Sequence, residues 1–108
     1  MNPKFGSYLG LAMRAGKLAT GDELVLKAIR SGEARLVVMA EDASPNTRKK
    51  FRDKCKSYQT RLVEHGSRVE LGAAIGKEER VLIAVLEPGF ARQMVACLGV
   101  HVEVEHIE

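Results

Sequence analysis

The chain has 108 residues, enough to bury one apolar core and too few for two independent ones. Hydrophobic residues are 45% of it and charged residues 29%, with no Trp and only 5% aromatics, so the core is expected to be aliphatic. No run nears the roughly 18 apolar residues of a membrane span, and the opening "MNPKFGSYLGLAMRAGK" is too short in its apolar part for a secretion signal, which predicts a soluble cytoplasmic protein with no membrane partner.

The elements alternate between the period of a helix and that of a buried strand. Lys4 to Ala15 places Tyr8, Leu9, Ala12 and Met13 on one helical face, and Gly16 ends it. Leu18 and Ala19 form a short strand. The next helix, Gly21 to Ser31, groups Leu24, Val25, Ala28 and Ile29 on one side and Glu23, Lys27 and Arg30 on the other, and Gly32 closes it. "RLVVMA", residues 35–40, is apolar without alternation, as a central strand covered on both faces should be. Ser44 as cap and Pro45 at the first helical position open a helix to about Tyr58, with Phe51, Cys55 and Tyr58 inward. A short strand at Leu62 and Val63, a small helix from Ser67 to about Ile75, a second buried strand "RVLIAVL" (80–86) and a helix from Pro88 to Leu98, ended by Gly99, complete the pattern. The expected fold class is α/β, a three-layer α-β-α sandwich with a four-stranded mixed sheet in one domain, residues 1–98. The tail, 99–108, alternates apolar and polar residues and is expected either as a fifth, edge strand or as partly disordered chain.

Cys55 and Cys97 lack metal-ligand spacing and read as reduced, buried thiols. Residues 1–60 hold twelve Lys/Arg against six Asp/Glu, whereas residues 61–108 hold five against eight, which predicts one basic side. Lys49, Arg52 and Lys56 share an outer helix face that fits a solvated surface or a phosphate contact, and no aromatics interleave it for base stacking. Three histidines stand without nucleophile or metal-ligand partners at useful spacing. Glu41 and Asp42 follow a central strand, where active sites of such folds often lie, but no base or cofactor motif joins them. The expectation is a protein that is not an enzyme and takes no metal or organic cofactor.

Two readings meet at "TGDELVLK", residues 20–27. Thr20-x-x-Glu23 has the form of a capping box, and Glu23 and Lys27 stand four apart in the favourable order for a surface ion pair. The same helix start offers unpaired amides and a positive dipole end to a phosphate, Gly21 lets a backbone approach, and a carboxylate can accept from a guanine edge.

"LAMRAGKLATGDELVLKAIRSGEARLVVMAEDAS", "ELGAAIGKEERVLIAV" and "GFA" together resemble the kink-turn RNA-binding ribosomal-protein family of the large-subunit seven-Ae and thirty-e type, in its small bacterial YlxQ-like branch. The likeness runs from residue 7 to about residue 98. It implies a sandwich that binds structured RNA, a kink-turn in ribosomal RNA, as a monomer and with the ribosome as a possible setting. The family's G-x-N-E-x-x-K stretch reads the sheared pairs of the kink. Anchored on "KAI", it places the family glycine on Gly21 and the family lysine on Lys27, with Glu23 and Leu24 standing where the family has Asn and Glu. The RNA-binding residues so implied are Lys17, Gly21, Asp22, Glu23, Lys27, Ile75, Gly76, Lys77, Glu78 and Arg80, with Arg14 and Arg35 adding to the positive field of the same edge. The alternative is a protein-interaction or regulatory module that keeps the fold without its RNA contacts; Leu24 and the polar "KEER" loop favour it.

Overall fold

The computed structural model describes residues 1–99 as α1 (Pro3–Arg14), β1 (Leu18–Thr20), α2 (Asp22–Ser31), β2 (Leu36–Met39), α3 (Pro45–Ser57), β3 (Leu62–Glu64), α4 (Arg68–Ala74), β4 (Leu82–Val85) and α5 (Pro88–Cys97). The expected edge strand or disorder of the tail falls on residues 100–108, outside the described residues. The four strands form one sheet in the order β1-β4-β2-β3, with β1 and β2 antiparallel to β4, and β3 parallel to β2. No helix among the described residues is long and apolar enough to cross a membrane.

Strand side chains point alternately to opposite faces, so an unbroken apolar run feeds two cores at once. Leu36, Val38, Ile83 and Val85 pack with Phe5, Leu9, Leu71 and Met94 of α1, α4 and α5. Val37, Met39, Leu82 and Ala84 pack with Val25, Ile29, Phe51 and Cys55 of α2 and α3. The sheet is therefore covered on both sides, as a three-layer sandwich requires. Burial pushes the Cys55 thiol up to about 12.

Tyr58, expected inward, is 48% exposed. It is the C-cap of α3, and the chain leaves helical conformation at Gln59, whose φ of 53° is left-handed. Thr60 N–H reaches back to Cys55 O at 2.8 Å and Gln59 N–H to Lys56 O at 3.3 Å, a Schellman closure with Gln where Gly is usual. Tyr58 thus stands at the exposed end of α3, beyond the buried Phe51 and Cys55.

The first helix is held to the α4 side by an imidazole. His65 Nε2 accepts the Asn2 N–H at 3.0 Å, and its ring meets Phe5 edge-on at 4.8 Å. Only the neutral ring offers that acceptor. Burial lowers the His65 pKa from its ordinary 6.5, against the pull of the Glu41 carboxylate. A His whose folded value lies below its unfolded one contributes fully above the unfolded value and loses that contribution as pH falls through the folded one. Thermal-unfolding midpoints should therefore drop as pH falls below 6.5, and the gap between wild type and His65→Leu should narrow over the same range. A gap independent of pH would remove His65 from this role.

Candidate functional site

The strand directions gather several loops at one end of the sheet. β4 begins where β1, β2 and β3 end, in register at Thr20↔Ile83, Met39↔Leu82 and Met39↔Glu64. Three backbone hydrogen bonds fasten the loops there: Gly21 N–H to Leu82 O at 3.1 Å, Ala40 N–H to Val81 O at 2.9 Å, and Glu41 N–H to Gly66 O at 2.8 Å. The start of α2 and the 76–81 loop are consequently neighbours on one edge.

The start of α2 differs from the other helix starts. Asn2 caps α1, Ser44 caps α3 and the two oxygens of Glu87 cap α5. Ser67 and Glu70 form a reciprocal capping box on α4. At α2 the N-cap is Gly21, at φ 91° and ψ 156°, and no side chain caps the helix. The expected Thr20–Glu23 box is not formed, because β1 pairing holds Thr20 extended opposite Ile83 and the helix begins only at Asp22. Among the described residues, the amides of Asp22, Glu23 and Leu24 have no protein acceptor. Asp22, Glu23 and Leu24 are all exposed, and a side chain built on Gly21 would meet nothing within 4 Å. The expected Glu23–Lys27 ion pair is also absent among the described residues, leaving both side chains exposed and unspent. Lys27 stands about 8 Å along the helix from Asp22, on the face that carries Glu23.

Leu24 departs from its expected inward position. It is 57% exposed, because the buried face of α2 is the narrow stripe of Val25, Ala28 and Ile29, and a helix turns about 100° from Leu24 to Val25.

The second part of the edge is a loop folded back over α4. Lys77 N–H donates to Gly72 O at 2.9 Å, Gly76 N–H to Ala73 O at 3.1 Å, and Arg80 N–H to Arg68 O at 3.0 Å. Gly72 makes this crossing possible, because a Cβ there would lie 1.8 Å from Glu78 O. Lys77, Glu78, Glu79 and Arg80 border an open groove of about 530 Å³ whose apolar side is Val69 and Ala73. Ile75, expected as a contact residue, is 6% exposed and belongs to the core with Leu71, four residues earlier on the inward face of α4. The exposed apolar residue of the groove is instead Val69, at 60%. Its flanking by Arg68 and Glu70, off the Leu71 and Ile75 face, was the available sequence signal.

Lys17 is not on this edge. Its carbonyl accepts from Leu86 N–H at 2.9 Å, at the other end of β1, and Arg35 N–H likewise meets Val85 O at 2.8 Å at the far end of β4. Of the residues implied by the resemblance, Gly21, Asp22 and Glu23 at the start of α2 and Gly76, Lys77, Glu78 and Arg80 in the loop before β4 belong to the same end of the sheet, joined through the Gly21–Leu82 bond, and Lys27 follows along α2. The edge is mixed in sign, with Asp22, Glu23, Glu78 and Glu79 set against Lys27, Lys77 and Arg80. Contacts here would select by geometry more than by bulk attraction.

Asp42 is engaged by structure through its carboxylate, and Glu41 through its backbone. Asp42 accepts the Arg68 N–H at 3.0 Å and pairs with its guanidinium at 3.4 Å, and the Glu41 carbonyl accepts from Arg48. Among the described residues there is also no group of three or more metal-ligating side chains.

The profile of the ribosomal protein L7Ae/L30e/S12e/Gadd45 family matches residues 4–95. The chain is 49% identical over 90 residues to the RNA-binding protein YlxQ of Bacillus subtilis, covering 83% of this chain and 90% of that one. It is 35% identical over 85 residues to large ribosomal subunit protein eL30 of Spodoptera frugiperda, 77% of this chain and 75% of the other. A solved structure of a protein of unknown function from Bacillus halodurans superposes with a TM-score of 0.85 at 48% identity, covering 88% of this chain and 96% of that one.

The fit at Gly72 is testable without any ligand. Gly72→Ala should cost about 1 to 3 kcal/mol in urea unfolding, because the atom it would strike is backbone and cannot rotate away. Unchanged stability would mean that the 76–81 loop is not held against α4.

Proposed function

The chain belongs to the ribosomal protein L7Ae/L30e/S12e/Gadd45 family, and from that premise we propose that it binds structured RNA through the edge formed by α2 and the 76–81 loop. The observation that carries this reading is the uncapped start of α2: three amides without an acceptor among the described residues, at the positive end of a helix dipole that also carries Lys27. In this reading the amides after Gly21 take a phosphate oxygen, Glu23 accepts from a guanine amino group, and Lys27 contacts a base edge or its phosphate. Lys77 and Arg80 hold the backbone of the adjoining strand, and the Val69 groove receives an unstacked base. The RNA is a kink-turn, with ribosomal RNA as its source and the ribosome as its setting.

A protein-interaction module on the same fold rests on a different observation, the exposure of Leu24 and Val69 on an edge of mixed charge. Titration of labelled kink-turn RNA against a straight duplex of equal length separates the two. The RNA reading expects a clear preference for the kinked form, and Lys27→Ala should weaken that binding by about 1 to 3 kcal/mol. Equal weak binding of both RNAs at moderate salt would select the interaction module, and an unchanged affinity for Lys27→Ala would take that residue out of the site.

A further inference from the structure

The far end of the sheet carries a second groove, of about 610 Å³. Its wall is built from three segments distant in sequence: Arg35 at the entry to β2, Arg61 at the entry to β3, and Arg92 in α5. None of the three guanidinium groups forms an ion pair among the described residues. The acid near Arg92 and Lys17 is Glu87, and its oxygens already accept from the amides of Gly89 at 2.9 Å and Phe90 at 2.8 Å. The same groove is lined by the exposed ring of Tyr58 and by Gln59.

This is a different kind of surface from the mixed-charge edge at α2. Planar guanidinium forks suit phosphate oxygens, an exposed phenol ring suits a base face, and a side-chain amide can donate to and accept from a base edge. Three cations with no ion pair among the described residues, one aromatic platform and one amide around a single concavity match an unpaired nucleotide better than a duplex, whose bases are not available for stacking. Gln59, which also lines the groove, holds a left-handed conformation that Gly would adopt without cost.

We propose that this groove is a second RNA site, which takes a nucleotide of a single-stranded segment with its phosphates on Arg35, Arg61 and Arg92 and its base on Tyr58. The inference extends the RNA-binding reading to another surface but requires nothing of Lys27 or the α2 edge. The two ends of β4 are roughly 10 Å apart along the backbone. The molecule measures 30 × 29 × 24 Å, so one folded RNA with a single-stranded flank reaches both ends.

The full chain supplies its own probe, because it has no Trp and only two Tyr, Tyr8 and Tyr58. In Tyr8→Phe the tyrosine fluorescence comes from Tyr58 alone. Addition of an eight-residue oligouridylate should quench that emission, with an affinity that falls as salt rises. Arg35→Ala/Arg92→Ala should weaken octamer binding at least tenfold by anisotropy, whereas Lys50→Ala, an exposed cation of α3 in neither site, should leave it unchanged. Tyr58→Phe should retain binding and Tyr58→Ala should lose severalfold. Gln59→Gly should raise the thermal midpoint and still weaken the octamer, which separates loss of contact from loss of folding. Absence of quenching, or equal affinity in the arginine variant with its fold intact by circular dichroism, would overturn the site. Uridine monophosphate binding as tightly as the octamer would overturn its assignment to a strand and make a free nucleotide the ligand.

Discussion

The hydrogen bond from the Gly21 amide to the Leu82 carbonyl joins the last residue before α2 to the first residue of β4. Because β4 is paired on both sides, that bond sets the start of the helix against the most constrained part of the sheet. The geometry of the edge follows from it. Gly21 takes a positive φ to make the turn, it has no side chain with which to cap, and the next three amides have no acceptor among the described residues. A β-branched or bulky residue at this position would have to choose between the strand bond and the helix start.

Much of the fold was legible because the apolar patterns were long and unambiguous. "RLVVMA" and "RVLIAVL" read as doubly covered strands, and the two sets of alternating side chains feed the two cores. Pro45 and Pro88 marked helix starts where both helices in fact begin. The site was less legible, for reasons of register and topology. Thr20 and Glu23 satisfy the spacing of a capping box, but pairing of β1 with β4 claimed Thr20 first. Ile75 lay in the right stretch of sequence and on the wrong side of its helix. Lys17 is four residues from Gly21, yet an extended strand between them carries it to the opposite end of the sheet.

Charge shows the same limit of one-dimensional reading. The basic excess of residues 1–60 includes a helix face whose cations are partly spent: Lys49 pairs with Asp53, and Arg48 and Arg52 both meet Glu64. The concentration of unspent positive charge instead comes from Arg35, Arg61 and Arg92, which counting along the chain separates and the sheet order brings together. Tyr58 joins them at the end of α3, where Gln59 closes the helix in a left-handed conformation that residue-type preferences argue against.

Cys55 lies beneath α3 in the core shared with α2. With burial pushing its thiol up to about 12, the nucleophilic sulfur anion is scarcely populated at neutral pH, and the buried sulfur is shielded from reagents. The sulfur is thereby a silent reporter: alkylating agents gain access to it only through rare excursions in which the α3 layer lifts from the sheet, so the rate of its modification measures the breathing of that layer.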